Sequence, residues 1–351
     1  MNVFDLMTEH DHEQVVFWSE PELGYRGIIA IHDTSLGPAL GGTRFWNYGD
    51  DREALVDVLR LARGMTYKAA VAGVNLGGGK SVIMGDNKVR HREMIFRAHG
   101  RAVESLGGRY ITAEDVGTSV DDMEFVRMET DAVVGLHGGS GDPSPVTAFG
   151  TYKGIKACAE IVYGDPSLTG RHVTVQGLGN VGYHLCSLLA EEGARLTVTD
   201  IDEERVNRCV EAFDAEAVGA DEIYGVDADI FAPCALGSVV NDDTLNVFKV
   251  DIIAGAANNQ LARAQHGDEL QKKGILYAPD YVINAGGLIN VYGELNAWSS
   301  DRSLRKAGEI HGTLLRIFRR AEEEKLAPAV AADRIAEQRV EQGRHLHRSW
   351  V

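Results

Sequence analysis

The sequence predicts an α/β protein of two domains flanking a cleft, the second of them a doubly wound parallel sheet. Three observations carry that expectation. At 351 residues the chain exceeds the length at which one hydrophobic core usually stops growing. Short apolar runs alternate with amphipathic stretches through its second half, the pattern of parallel strands joined by crossover helices. Between the halves, Gly138 to Pro145 reads GGSGDPSP, and its glycines and prolines disfavour regular structure, marking a hinge or boundary.

The elements follow in order. Tyr25 to His32 (YRGIIAIH) has the β-branched content of a strand, and Gly37-Pro38 then breaks it. From Asp51, apolar Leu55, Val58, Leu59 and Ala62 recur at i, i+3, i+4 and i+7, the stripe of an amphipathic helix. Glycines crowd in at Gly73 and at Gly77 to Gly79. A strand from Ser81 to Met84, a helix around Arg92 to Leu106 and a short strand from Arg109 to Thr112 come next, closed by a loop at Glu114-Asp115-Val116-Gly117. Past the hinge lie a strand at Val173 to Gln176, a helix after Asn180, a strand at Leu196 to Asp200 and a helix from Glu203. Apolar strands recur at Asp229 to Ala232, Asp251 to Ala254 and Ile275 to Ala278, and from about Arg302 the chain is strongly helical.

Composition narrows the partners. A formal net charge of -17 argues against nucleic acid, because phosphate binding needs a basic face. No stretch approaches the ~18 apolar residues of a membrane span, and the N-terminal MNVFDLMTEHDHEQ is too acidic and too broken for a signal peptide. Cys158, Cys186, Cys209 and Cys234 form no CxxC pair. They suit reduced, partly buried thiols rather than a disulfide framework or a metal site. The expected class is a soluble, cytoplasmic enzyme with no metal, no membrane and no nucleic-acid partner.

Gly177-Leu178-Gly179-Asn180-Val181-Gly182 fits GxGxxG, and its context gives the match weight. The strand HVTVQ precedes it, an apolar helix beginning Val181-Gly182-Tyr183 follows, and Asp200 ends the next strand 18 residues after Gly182. In such a turn Gly177 permits the sharp bend, Gly179 lets backbone N–H groups approach a pyrophosphate, and Gly182 lets helix and strand pack closely. The helix N-terminus offers its positive dipole end to the phosphates. Asp200 would accept hydrogen bonds from the adenosine ribose hydroxyls and repel a 2′-phosphate, favouring NAD over NADP. The expected second domain, residues 136–325, is therefore an NAD-binding Rossmann domain.

A second cluster lies upstream. Met65-Thr66-Tyr67-Lys68-Ala69-Ala70 ends the first helix, and Leu76-Gly77-Gly78-Gly79-Lys80-Ser81 places Lys80 twelve residues after Lys68. The Walker spacing GxxxxGK[ST] is not met, because position 75 is Asn. The glycines are better read as clearing space for a small substrate. The strings LGPALGGTR (from Leu36), MTYKAA, LGGGKS, YITAEDVG (from Tyr110), GDPSPVTAFG (from Gly141), IFAPCALG (from Ile230) and PDYVINAGG (from Pro279) together resemble the glutamate/leucine/phenylalanine/valine dehydrogenase superfamily. They run in order over nearly the whole chain, and the leucine dehydrogenase branch is the nearest in appearance.

That resemblance implies roles. Lys68 would bind the substrate α-carboxylate, Lys80 would activate the water that attacks an imino acid, and Asp115 would relay protons at the substrate nitrogen. A lysine beside a second lysine in a poorly hydrated cleft has its pKa lowered and can work as a base. Leu40, Gly41, Gly42, Met65, Ala113, Leu288 and Val291 would line the side-chain pocket. In glutamate-specific members a lysine stands where this chain has Leu40 and pairs with the γ-carboxylate, so glutamate is not expected here. Thr147 would hold the nicotinamide amide, with Ala235, Ala256, Asn258 and Asn284 lining the cleft nearby. Residues 1–135, joined by about 326–351, would form the substrate and oligomerisation domain of a homo-oligomer. The implied reaction turns an apolar, branched-chain L-amino acid such as leucine or valine, with NAD and water, reversibly into the 2-oxo acid, ammonium and NADH. Leu288 replaces the valine common in leucine dehydrogenases. An aromatic (phenylalanine or tryptophan) dehydrogenase therefore stays open, as does a non-catalytic NAD-binding regulator. His137, His172 and His184 have no partner spacing that supports catalysis and read as structural or surface histidines.

Overall fold

The computed structural model describes residues 2–139, 141–235 and 237–347. Ser140 in the expected hinge, Leu236 in the IFAPCALG motif and the last four residues lie outside them. The chain forms two compact units. The first comprises the residues up to Gly141, Glu294–Ala297 and those from Ala336 onward; the second comprises Asp142–Gly293 and Trp298–Ile335.

In the first unit, helix α1 (Val3–Glu9) is followed by strands β1 (Gln14–Glu20), β2 (Tyr25–Asp33) and β3 (Ala39–Trp46), then helix α2 (Asp51–Ala72) and strand β4 (Gly77–Met84). Helix α3 (Glu93–Glu104), strand β5 (Tyr110–Glu114) and helix α4 (Val120–Arg127) complete the sequence. The sheet runs β1-β2-β4-β3-β5, antiparallel across β1-β2-β4 and parallel across β4-β3-β5. Helix α2 starts where the Asp50 side chain accepts the Glu53 N–H, satisfying one orphan donor. It ends at Gly73, whose φ of 69° is cheap only for glycine. Its stripe of Ala54, Leu55, Val58, Leu59 and Ala62 packs on Ile28, Ala30 and Val82 of the sheet. Helix α3 covers the other face, burying Phe96, Ala98, Ala102 and Val103.

Strand β4 runs straight through the triple glycine, where no strand was expected before Ser81. The reason is close approach. A Cβ on Gly78 would lie 2.1 Å from Thr66 Oγ1 of α2, one on Gly77 2.1 Å from the Asp33 carbonyl oxygen, and one on Gly79 2.7 Å from the Tyr110 ring. These glycines admit the protein's own atoms, which corrects the expectation that they clear room for a substrate. Strands β1 and β3 and helix α4 were likewise not anticipated.

In the second unit, helix α5 (Ser144–Tyr163) begins within the segment expected to be a hinge. There follow β6 (His172–Gln176), α6 (Asn180–Glu191), β7 (Arg195–Thr199), α7 (Glu203–Phe213), β8 (Glu216–Ala217), β9 (Ile230–Pro233) and β10 (Ile252–Ile253). Then come α8 (Gln265–Lys272), β11 (Leu276–Tyr277), α9 (Asp280–Ile283), α10 (Gly286–Leu295), α11 (Ser300–Gly308), α12 (Ile310–Glu324) and α13 (Pro328–His347). The six strands are all parallel in the order β11-β10-β9-β6-β7-β8. That is a doubly wound sheet whose order reverses between β6 and β9, the point where such sheets bind ligands.

Sequence placed the domain boundaries near 135 and 326; the contacts place them at Gly141 and at Ala336, inside α13. The end of α13 is fastened to the first unit by polar bonds. Arg339 donates to the Ala69 and Ala70 carbonyls at the C-terminus of α2, and Arg344 pairs at 2.8 Å with buried Asp33. All four cysteines are free. Among the described residues no helix is long and apolar enough to cross a membrane.

Candidate active site

Strands β4, β3 and β5 are parallel neighbours, and alternate side chains of a strand point to opposite faces. Ala30, which pairs with Lys80, and Val82 both pack under α2. Lys80 therefore projects from the α2 face. Register carries the same assignment to Leu40, Gly42 and Arg44 on β3 and to Ala113 on β5. Met65 and Lys68, both half-buried, sit one turn apart on α2. Leu40 is buried and Ala113 half-buried.

Gly41 and Gly42 have no free space at their missing Cβ positions. One on Gly41 would lie 1.7 Å from the Gly79 carbonyl oxygen, and one on Gly42 2.4 Å from the Glu114 carbonyl oxygen and 2.9 Å from Asp115 Cβ. Glycine here lets β3 nest against the backbone that bears Lys80 and Asp115.

Asp115 follows β5 directly. Its backbone N–H donates to Thr118 Oγ1 at 2.8 Å, and that hydroxyl reaches the Thr43 carbonyl at 3.0 Å, which pins the loop to β3. The carboxylate is gripped from both sides: Lys80 Nζ lies 3.0 Å from Oδ1 and Arg44 Nε 3.0 Å from Oδ2. Arg44 also donates to Asp57 at 2.9 Å, and Asp57 accepts from the Tyr48 hydroxyl at 2.8 Å. Burial pulls the Lys80 ammonium below its ordinary pKa; Asp115 opposes the shift and Arg44 reinforces it. Burial alone would raise the Asp115 carboxyl, but Lys80 and Arg44 together hold it below the usual range. Poor hydration and a second lysine are the expected causes; burial is the leading one here, and Arg44 is the cation that adds to it.

The opposite face of the same strands carries a buried polar network. Thr43 Oγ1 meets Ser81 Oγ at 2.7 Å, Thr112 Oγ1 at 2.6 Å and His99 Nε2 of α3 at 2.8 Å, while His99 Nδ1 meets the Tyr25 hydroxyl at 2.8 Å. Burial lowers the pKa of His99 to about 3 and that of His32 to about 4, against an ordinary 6.5. Both fold as neutral rings while the unfolded chain takes up protons. Their contribution is therefore complete above pH 6.5 and is lost as pH falls from 6.5 toward 4 and 3. Each such histidine is expected to remove about 1.4 kcal/mol per pH unit in that window. Urea unfolding at pH 7.5 and 5.0 checks this: the pH difference in stability should shrink in His99→Gln, and an unchanged difference would overturn the assignment.

In the second unit the GxGxxG residues divide their tasks. Gly177 adopts φ 94° and its Cβ position is filled by Ala235; a Cβ on Gly182 would lie 1.9 Å from the Gly177 carbonyl oxygen. Gly179 meets nothing nearer than Arg205 at 3.8 Å. It also caps α6 with no side-chain partner for the first N–H groups, leaving orphan donors aimed outward. Leu178 N–H donates to Asp200 Oδ2 at 2.6 Å. Leu178, Gly179, Asn180, Tyr183, His184, Arg205 and Arg208 line a cavity of about 240 Å³. Val181 is half-buried beside them.

Asn284 is buried and donates through Nδ2 to Asn258 Oδ1 at 2.7 Å and to the Ala256 carbonyl at 3.1 Å, and its Oδ1 has no partner. Thr147 lies beside Gly287 at the start of α10. Leu288, buried, and Val291, half-buried, are three residues apart on that helix, in the second unit rather than the first.

Among the described residues the structure thus joins Lys80 to Asp115, Gly177 to Ala235, and Ala256, Asn258 and Asn284 to one another. Sequence reasoning missed Arg44, Asp57, Arg205 and Arg208. An arginine interrupting the β3 run ALGGTRFW was the one signal for Arg44. His172 bonds the Asp227 carbonyl and Thr197, a structural role, and His137 pairs with Asp121 at the surface.

Comparison with known proteins agrees with this layout. Residues 12–132 match the family described as Glu/Leu/Phe/Val dehydrogenase, dimerisation domain, and residues 197–344 match Glutamate/Leucine/Phenylalanine/Valine dehydrogenase. The chain is 54% identical to the leucine dehydrogenase of Bacillus subtilis (strain 168), covering 98% of this chain and 95% of that one. It is 50% identical to the valine dehydrogenase of Streptomyces virginiae over 95% of each chain. The crystal structure of L-tryptophan dehydrogenase from Nostoc punctiforme superposes with a TM-score of 0.89 at 46% identity, covering 97% of this chain and 99% of that one. The chain belongs to the glutamate/leucine/phenylalanine/valine dehydrogenase family and is an amino-acid dehydrogenase, an oxidoreductase acting on a CH–NH2 group.

Proposed function

We propose that this chain carries out the NAD-dependent, reversible oxidative deamination of branched-chain L-amino acids to 2-oxo acids and ammonium. The observation that carries the reading is the 3.0 Å Lys80–Asp115 pair, on the sheet face that also bears buried, apolar Leu40. Lys80, depressed by burial, serves as the base that activates water, and Asp115 as the proton relay at the substrate nitrogen. Lys68 receives the α-carboxylate. In the first unit Leu40, Met65 and Ala113 provide apolar surface and no cation for a side-chain carboxylate. The bound nucleotide supplies the hydride acceptor. Gly177 to Gly182 and the uncapped α6 N-terminus fit its pyrophosphate, and Asp200 fits the unphosphorylated ribose of NAD. Leucine and valine dehydrogenases among the relatives support the branched-chain choice. A cytoplasmic homo-oligomer completes the proposal, in keeping with the dimerisation domain of the family.

A panel of L-amino acids with NADH formation followed by absorbance tests this. Leucine, valine and isoleucine should be turned over well, and glutamate about 100-fold less or worse, since an unpaired buried carboxylate costs several kcal/mol. Glutamate turned over as fast as leucine would overturn the pocket. The tryptophan-dehydrogenase structure favours one rival, an aromatic substrate; tryptophan or phenylalanine outrunning leucine would establish it.

A further inference from the structure

We infer that Arg44 is a positioning residue of this reaction: it is the permanent counter-charge that keeps Asp115 an oriented carboxylate when Lys80 gives up its proton. The inference rests on the proposed roles of Lys80 and Asp115, and goes beyond them to a residue outside that set.

The geometry divides the carboxylate between two cations of different character. Lys80 holds Oδ1 at 3.0 Å and Arg44 Nε holds Oδ2 at 3.0 Å. A lysine can titrate, whereas a guanidinium stays charged throughout the working pH range. A base at Lys80 must pass through its neutral amine. With Lys80 as its only cation, Asp115, with a half-buried side chain, would then face an uncompensated negative charge. It would either take the proton itself or hold it on Lys80. Arg44 removes that choice, because one cation remains on the carboxylate in both states of the lysine.

Arg44 is itself held. Its Nη1 donates to Asp57 at 2.9 Å, and Asp57 is fixed by Tyr48 at 2.8 Å and by Arg60 at 3.1 Å. Asp57 lies on α2 and Arg44 on β3. The fork of the guanidinium thus ties the helix that carries Lys68 to the carboxylate that works beside Lys80. Other groups near the pair are Asp57 and Tyr48 from this same chain of bonds and the Thr118 hydroxyl on the Asp115 backbone. Asp57 is already paired with both Arg44 and Arg60, and the further charges lining the groove beside Arg44 are Arg60, Asp50, Arg52 and Glu53, with Lys68 on the same helix α2.

The test is the pH dependence of kcat/KM for leucine oxidation in Arg44→Gln, Arg44→Lys and Lys80→Ala. Glutamine keeps a hydrogen bond to Asp57 but loses the charge. Without the like charge Lys80 holds its proton more tightly, and without the cation Asp115 protonates more easily. Both move the acid limb of the profile upward, by about one pH unit or more. Lysine at position 44 keeps the charge, so the midpoint should stay near wild type while kcat falls because the fork is lost. A residue that only supported the fold would lower the melting temperature and leave the limb in place. An unmoved limb in Arg44→Gln, or a limb displaced in Arg44→Lys as far as in Arg44→Gln, overturns the inference. Should Arg44→Gln not fold, Arg44→Met, which keeps an unbranched stem and loses the charge, takes its place with the same two outcomes. Lys80→Ala separates the levels: full activity there would sink the proposed role of Lys80 as the base, on which this inference rests, while an inactive Lys80→Ala beside an unshifted Arg44→Gln sinks only the role of Arg44.

Discussion

Lys80→Ala is expected to lower kcat by about 10²- to 10⁴-fold, the range over which a positioned acid–base group contributes. The substitution removes three buried methylenes along with the ammonium, so the melting curve of the variant provides the control for folding. It leaves Asp115 with Arg44 as counter-charge, so the carboxylate should stay ionised and the α-carboxylate site at Lys68 should be intact. KM for leucine is therefore expected to change far less than kcat. A loss confined to KM would move Lys80 from chemistry to binding. Asp115→Asn should be comparably damaging, and combining the two should cost less than the product of the single losses, since groups that act as a unit are not additive.

Gly41→Ala is expected to be the most destabilising single-methyl change in the first unit. Its Cβ would sit 1.7 Å from the Gly79 carbonyl oxygen and 3.3 Å from Lys80 Cα, all backbone atoms of a central strand. No side chain can swing away. Either β3 separates from β4 or the strand buckles, at about 3–5 kcal/mol, the upper end for overpacking. Because the atom met is next to Lys80, folded protein should also lose activity. Chemical denaturation compared with Gly64→Ala, which has open space at its Cβ position, checks this. Equal midpoints for the two variants would disprove the close approach.

Some of this was legible in the chain and some was not, for identifiable reasons. The doubly wound sheet could be read because its central parallel strands are buried on both faces and so appear as short apolar runs, as in Val173 to Gln176 and Leu196 to Thr199, whereas the exposed edge strand β8 could not. The glycine turn could be read because Gly177, Gly179 and Gly182 each answer to a local demand. Strand β3 and the first half of β4 could not be read, since Gly41, Gly42 and Gly77 to Gly79 carry no strand preference. They are strand residues because Thr66, Tyr110 and Asp115 occupy the space where side chains would stand, a fact of tertiary packing. Arg44 was hidden for a similar reason. In sequence it is one cation among many, and only the register of β3 against β5 brings it to Asp115. Helix α5 was obscured by proline at its own start, where proline is tolerated. The part of Arg44 in depressing Lys80 was not foreseen, because the spacing of Lys68 and Lys80 says nothing about which cation shares the carboxylate of Asp115.

The last turns of α13 carry a consequence for synthesis. Arg339 supplies the donors for the carbonyls at the end of α2, and Arg344 neutralises Asp33, which is 2% exposed. Both are synthesised after Met1–Gly141 and Glu294–Ala297 of the unit they help to complete. A nascent chain of this protein cannot finish its first unit and then move on to the second, as a string of independent domains would. Until α13 is made, the Ala69 and Ala70 carbonyls rely on the Gly73 and Val74 N–H groups, and buried Asp33 has the Ser35 N–H but lacks the Arg344 guanidinium.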